Sequence, residues 1–430
     1  MRSSYRAATL AAATIIVAAT VWVMRAQGVG GARTVFLPTV QRSGVAVPPA
    51  DEASARLRVP AGFAVRVFAR GLGNPRLMAI GPDSQLYVAA RGAGTIVRLA
   101  DANHDGLADA NQVVASGLNG PHNLEWHDGA FYVAEDDKVS RLADKNGDGD
   151  YLDAGEVTTI VPNLPTGGNH TSRTLHFGPD GKLYVAAGST CNICVETDKR
   201  RATIMRFNSD GSIPADNPFA NDANTTRRPV WAEGLRNSVD FLFTPSCRLW
   251  ADMNGSDNLG DNVPPEEIVN DIQKGKHYGW PFCYTPTSGA TPAGTKEVRD
   301  NRIGFAPPIS SCDQVTPALF TDLAHQAPLG MDLYDQSAFP PAYQGNMFVA
   351  YHGSWNAPNT PRDCRVQMIA VQNGKPTAAQ PFLTGFRDSP SQACSSAWGR
   401  PAGVVVGSQG ELFVSDDKNG DVYRIVYVGT

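Results

Sequence analysis

One short pattern returns along the whole chain and limits what it can fold into: a turn rich in Gly, Pro, Asp or Asn, then an alternating aromatic run. It reads GPDSQLYVA from Gly81, HDGAFYVA from His127, GPDGKLYVA from Gly178, TPSCRLWAD from Thr244, YQGNMFVA from Tyr343 and GSQGELFVS from Gly407. Turn residues followed by β-branched and aromatic residues at period two specify a tight turn feeding a half-buried strand. A further apolar run precedes each copy (PRLMAI, HNLEW, RTLHF, VDFLF, GMDLY, AGVVV). Another follows most copies: TIVRL, KVSRL, TIMRF, VQMIAV and VYRIVYV. Each unit thus offers about three strands, and FAVRVF at 63–68 is available to close a ring. Six such units predict an all-β, six-bladed β-propeller with long inserted loops, the largest between the Trp250 and Phe348 copies.

In a propeller the innermost strands line a central channel, and the loops at one rim converge on its mouth. Polar residues just before the inner strands should therefore face one another. Those positions hold His122, His170, Arg236 with Asn237, Gln326 and Arg400.

The N-terminus carries Arg2 and Arg6 ahead of an apolar run that reaches Val23, followed by a loose Gly- and Pro-containing stretch. This predicts a signal peptide or membrane anchor over 1–26, a linker over 27–54 and the propeller over 55–430. The expected location is exported, periplasmic or extracellular, with membrane contact only through the leader if it is retained. Seven cysteines fit an oxidising compartment with one thiol left over. Cys191 and Cys194 form a C-x-x-C without a following His, so a local disulfide is expected rather than haem attachment. A net charge of −5 gives no footprint for nucleic acid. There is no G-x-G-x-x-G between a strand and a helix and no G-x-S-x-G elbow, so nicotinamide binding and a serine-hydrolase elbow are unsupported.

Two stretches have calcium-loop spacing. DANHDGLADANQ places Asp101, Asn103, Asp105 and Asp109 around Gly106, and DKNGDGDYLDAGE places Asp144, Asn146 and Asp148 around Gly149. Neither has the bidentate Glu at position twelve, so structural ions of modest affinity are expected.

The stretches GNHTSRTLHFGPDGKLYVAAG, EGLRNSVDFLFTP, NGSDNLGDNVPPEEIVNDIQKGKHYGWP, HQAPLGMDLY, FVAYHGSWN and WGRPAGVVV together resemble the quinoprotein sugar dehydrogenases. These are the soluble glucose, aldose and sorbosone dehydrogenase relatives that use pyrroloquinoline quinone (PQQ). The resemblance covers residues 55 to 430 and implies a calcium-dependent enzyme. It would oxidise a sugar or related alcohol or aldehyde by hydride transfer to the quinone, and pass electrons to an external acceptor, a quinone or a cytochrome. It implies His170 as general base, and Arg236, Asn237 and Arg400 as cofactor contacts. His352 stands where some relatives place a lysine, and His122 near a glutamine position. Asn169 stands where relatives can carry an acid. Main-chain carbonyls of Gly255 and Ser256 would ligate the cofactor-site calcium, and Glu266 and Glu267 would serve that region or a second ion. A metal-dependent lactonase on the same scaffold, and a non-catalytic propeller binding glycans or proteins, are the competing expectations.

Overall fold

The computed structural model describes residues 46–292 and 294–429. The expected leader, and most of the expected linker, lie outside the described residues. The end of the linker stretch is structured: Asp51 caps a short helix, Glu52–Arg56, and accepts from the Ser54 amide at 2.8 Å.

The recurring turn explains itself in atoms. Gly81 donates its N–H to the Gln85 carbonyl at 2.8 Å, and Gly178 does the same to Lys182 at 2.8 Å. Asp83 and Asp180 cap the turn by accepting from the amides of Gln85 and Lys182. The same aspartates then hold an arginine of the next strand, Arg98 at 2.6 Å and Arg206 at 2.8 Å. The leading glycine is required: a Cβ on Gly81 would lie 2.2 Å from the Tyr87 ring. One six-residue word thus specifies the turn, the strand and its neighbour.

Six blades result. The first runs Pro75–Ile80, Leu86–Ala90, Thr95–Ala100 and Ala110–Ala115; the second Asn123–His127, Ala130–Ala134, Val139–Leu142 and Val157–Val161. The third is Arg173–Phe177, Leu183–Ala187, Thr203–Phe207 and Val230–Glu233; the fourth Phe241–Phe243, Leu249–Met253, Glu266–Ile272 and Phe320–Asp322, extended by Gly289–Ala290. The fifth is Pro328–Leu333, Met347–Tyr351, Arg365–Gln372 and Lys375–Leu383. The sixth combines Pro401–Val406, Leu412–Asp416 and Asp421–Tyr427 with Phe63–Ala69. The ring is therefore closed as FAVRVF suggested, with Val65 opposite Ile425 in an antiparallel pair. Blades carry four strands, one more than the repeat displayed.

The first strand of each blade faces the axis. Side chains stitch these strands into a ring: Asn123 accepts from the Leu175 amide at 3.0 Å, Asp240 from Met331 at 2.9 Å and Asp332 from Val406 at 2.8 Å. Between blades the core is aromatic and aliphatic. Phe63, for example, meets Phe339, Tyr343, Phe382 and Tyr427 edge-on with centroids 4.7–5.2 Å apart. Because every inner strand runs the same way, their first residues share one end of the channel and their last residues the other. The far end holds a cavity of 420 Å³ lined by Leu77, Leu124, His176, Leu242, Met331 and Val404.

Cysteines 191–194, 283–312 and 364–394 pair, and Cys247 is the exposed free thiol. The C-x-x-C is thus a local disulfide. Cys283–Cys312 closes the long insertion of the fourth blade on itself, beside the cluster of Phe282, Ile309 and Val315.

Candidate functional site

The near end of the channel gathers the polar residues that precede the inner strands. His170 follows a Gly167–Gly168 turn with φ of 76° and 79°. A Cβ on Gly168 would lie 2.5 Å from Thr190 Cα, so only glycine lets the two loops approach this closely. The His170 ring meets Ser189: Nδ1 lies 3.1 Å from its carbonyl and 3.0 Å from its hydroxyl. A carbonyl only accepts, so Nδ1 carries the proton and Nε2 presents a lone pair. Burial, then the charge of Arg236 and the charges of Arg201 and Arg173, pull the imidazole down to about 3, so it is neutral at physiological pH.

Ser189 joins this base to the next group, because its amide donates to the Arg236 carbonyl at 2.7 Å. Arg236 is 4% exposed and uses all five of its N–H donors. Nε and one Nη2 hydrogen go to Asn192 O and Oδ1, at 3.1 and 3.0 Å; the other Nη2 hydrogen goes to Asp257 at 2.9 Å. Nη1 donates to the carbonyls of Asn254 at 3.3 Å and Gly255 at 2.7 Å. Asn237 Oδ1 and His170 Cβ lie 2.4 and 2.6 Å from where a Cβ on Gly188 would stand, so base and amide flank one glycine.

Arg400 approaches from the sixth blade. Its Nε donates to the His352 carbonyl at 3.0 Å and Nη2 to Gly353 at 3.4 Å, while Nη1 makes no bond among the described residues. His352 Nε2 contacts Asp417 at 2.9 Å, and Asp417 also pairs with Arg76. Arg76 in turn sits 3.2 Å from Nε2 of His122. That histidine is wholly buried, with Nδ1 within 3.2 Å of both the Arg173 carbonyl and the Thr174 hydroxyl. Both its nitrogens are in use, so it lies beneath the mouth as a support for Arg76. Arg173 donates onward to the His170 carbonyl at 3.2 Å. A continuous hydrogen-bonded path therefore runs around the rim from His170 to Arg400. Gln326, also expected here, is fully buried and accepts from Arg365 at 2.6 Å.

Two arginines escaped the sequence reading. Arg91 is forked onto Asp136 at 2.7 and 2.9 Å and donates to Thr171 at 3.1 Å, one residue from the base. Its signal was present: Arg91 follows LYVAA in the first blade as Gly188 follows LYVAA in the third. Arg76 stands inside the PRLMAI strand, where it read as part of the apolar run.

The expected calcium residues fall in three places. Gly255 donates to Glu266 at 2.6 Å, and the Ser256 hydroxyl accepts from Arg302 at 2.7 Å, beside Arg236. Glu266 is buried, and that burial pushes its carboxyl up from its ordinary value. Glu267, 2% exposed, has a carboxyl oxygen without a partner, and burial followed by the charge of Glu297 pushes it well up. The two outer loops lie away from the mouth. Asp101 accepts from the amides of Asp105 and Gly106, both at 3.0 Å, Asn103 from Asp105 at 2.9 Å, and Asp109 from Ala102 at 2.7 Å. Asp144 likewise accepts from Gly147 and Gly149, at 2.6 and 3.0 Å, Asn146 from Asp148 at 3.0 Å, and Asp148 from Asp150 at 3.1 Å.

A family model described as TrAA12-like matches residues 57–428. A PQQ-dependent pyranose dehydrogenase of Coprinopsis cinerea is 26% identical over 425 residues, 89% of this chain and 56% of that protein, so the chain spans little more than half of it. An aldose sugar dehydrogenase of Escherichia coli is 35% identical over 126 residues, covering 29% of this chain and 32% of that one. Among solved structures, the Trichoderma reesei protein of carbohydrate-active enzyme family AA12 superposes with a TM-score of 0.71 at 20% identity, covering 91% of this chain and 100% of that one. The holo PQQ domain of the Coprinopsis pyranose dehydrogenase gives 0.69 at 23% identity, with 86% and 97% covered.

Proposed function

Since the chain belongs to the TrAA12-like family, whose relatives include PQQ-dependent sugar dehydrogenases, we propose that it oxidises a sugar or related hydroxyl or hydrated aldehyde with calcium and PQQ bound at the near mouth. The observation that carries this reading is the neutral His170, its Nε2 lone pair available, on a rim of guanidinium groups.

The donor chemistry suits a planar tricarboxylate. Arg400 has an unused Nη1, and its fork matches carboxylate geometry. Arg236, Arg76 and Arg91 add fixed positive charge, and Asn237 adds an amide beside Gly188. His352 holds Asp417 and leaves its own carbonyl to Arg400, so it positions that arginine. Hard oxygen donors for calcium are present in the carbonyls of Gly255 and Ser256 and in Glu266, with Glu267 suited to a second ion. The Asp101–Asp109 and Asp144–Asp148 loops would hold structural ions.

When bound, the quinone would supply the two-electron acceptor for hydride. His170 Nε2 would take the proton of the sugar hydroxyl, while Ser189 fixes the ring from behind. Its low proton affinity rises once an anionic group offsets Arg236, which readies the base only in the loaded enzyme. Asn169, exposed next to it, contributes no charge of its own. An external quinone or cytochrome would accept the electrons. Three disulfides suit export to an oxidising compartment, and among the described residues no helix is long and apolar enough to cross a membrane.

The test is reconstitution. Apo protein given calcium and PQQ should reduce a dye with a sugar panel, and His170→Ala should bind PQQ without turning over. Lactone hydrolysis without PQQ would favour the hydrolase instead.

A further inference from the structure

We infer that the Cys191–Cys194 loop is a positioning element of the active site that sets base, cofactor arginine and metal segment together; this rests on the quinoprotein reading above. The bridge closes a turn of only two intervening residues, Asn192 and Ile193. Its contacts reach three separate parts of the mouth.

Towards the base, Ser189 Oγ donates to the Cys191 carbonyl at 2.7 Å. That bond orients the residue whose carbonyl receives His170 Nδ1–H at 3.1 Å. Towards the arginine, Asn192 accepts twice from Arg236, on its carbonyl and on its side-chain oxygen, at 3.1 and 3.0 Å. Towards the metal segment, Asn192 Oδ1 accepts from the Asp257 amide at 2.8 Å while its Nδ2 donates to the Asp257 carbonyl at 3.1 Å. Trp280 of the YGWP stretch holds the loop from outside by donating Nε1–H to the Asn192 carbonyl at 3.1 Å. Glu196 completes the frame by accepting from the Thr190 amide at 2.6 Å and hydroxyl at 2.8 Å.

A four-residue loop that must satisfy all these partners at once loses conformational entropy on ordering, and the covalent bridge removes much of that freedom in advance. The bridge therefore matters here for preorganisation. Removing it should loosen Ser189 and Asn192 together, freeing the His170 tautomer and the Arg236 fork, while the rest of the propeller, closed by other strands, stays intact.

The experiment compares wild type with Cys191→Ala/Cys194→Ala and, with the bridge intact, Asn192→Ala. Each is titrated as apo protein with calcium and PQQ, and each is read by NMR of ¹⁵N-labelled histidine and arginine. Expected results are a PQQ affinity weaker by at least tenfold in both variants and faster solvent exchange of Arg236 Nε–H in both. In the double variant alone, His170 Nδ1–H should no longer be fixed, giving a mixed-tautomer spectrum. Asn192→Ala covers the case in which the double variant does not fold. A lowered Tm with unchanged PQQ affinity and unchanged His170 and Arg236 signals would make the bridge merely structural and overturn the inference. If wild type itself takes up no PQQ, the quinoprotein reading fails; the imidazole and guanidinium signals still decide whether the loop positions both groups.

Discussion

Arg236 Nη1 donates to the Gly255 carbonyl at 2.7 Å, so a calcium ion held there, as proposed, would compete with the guanidinium for that oxygen. Calcium on that carbonyl would release an Arg236 N–H for a carboxylate, which couples the two ligands. Coupling of this kind is reciprocal and commonly amounts to about 1–3 kcal/mol. PQQ affinity measured by absorbance titration should rise roughly 5- to 150-fold on adding calcium. Arg236→Ala should weaken binding and erase most of that increment. Equal affinity with and without calcium would separate the two sites.

Arg400 spends Nε and Nη2 on the carbonyls of His352 and Gly353 and leaves Nη1 without a bond among the described residues. A charge-assisted hydrogen bond to a carboxylate contributes about 1.5–3 kcal/mol. Arg400→Ala should therefore weaken PQQ by about ten- to more than a hundredfold, and Arg400→Lys should recover little because lysine has no planar fork. Isothermal titration of the apo variants measures this.

His170 is held neutral by burial and by Arg236 in the protein without ligands. An anionic ligand beside Arg236 should raise its proton affinity, so the imidazole should titrate at higher pH in the PQQ-loaded protein than in the apo protein. His170→Ala should lower kcat by about 10²–10⁴ with PQQ affinity retained. Titration of the ¹⁵N-histidine signals with and without PQQ checks the shift.

Buried histidines also shape stability. His122 is pulled well below its ordinary value by burial first and then by Arg76, and His352 to about 4 by burial. Groups depressed in the folded state bind fewer protons there than when unfolded, so stability falls as pH drops below about 6.5. His176 behaves oppositely: against burial, hydrogen bonds to the Asp240 and Glu125 carboxylates raise it to about 10, so its contribution is complete below about 6.5 and is lost as pH rises from there towards about 10. From these three groups urea midpoints should peak at about pH 6.5. His122→Gln, which keeps a donor and an acceptor, should flatten the acid side.

Much of this was legible because the propeller repeats its word. Six copies of the turn and aromatic strand set the blade count, and FAVRVF found its partner strand. The placement of His170, Arg236 and Arg400 followed from one rule, that inner strands start at one rim. The fourth strands were harder. Ala110–Ala115 and Val157–Val161 are outer strands with mostly exposed or half-exposed residues, so no apolar alternation marks them. The grip of Asn192 on Arg236 was invisible for another reason: it joins residues 44 apart through a loop whose shape depends on the bridge. His122 read as a rim residue because it precedes an inner strand, yet its ring turns inward beneath Arg76.

The central claim is that the neutral imidazole at 170 and the arginines at 236 and 400 serve one quinone. Its most direct measurement is the absorbance of wild type loaded with calcium and PQQ before and after sugar is added. The account predicts stoichiometric uptake and conversion of the quinone spectrum to its reduced form, with His170→Ala binding equally but remaining oxidised. A folded, calcium-loaded protein that takes up no PQQ would contradict it.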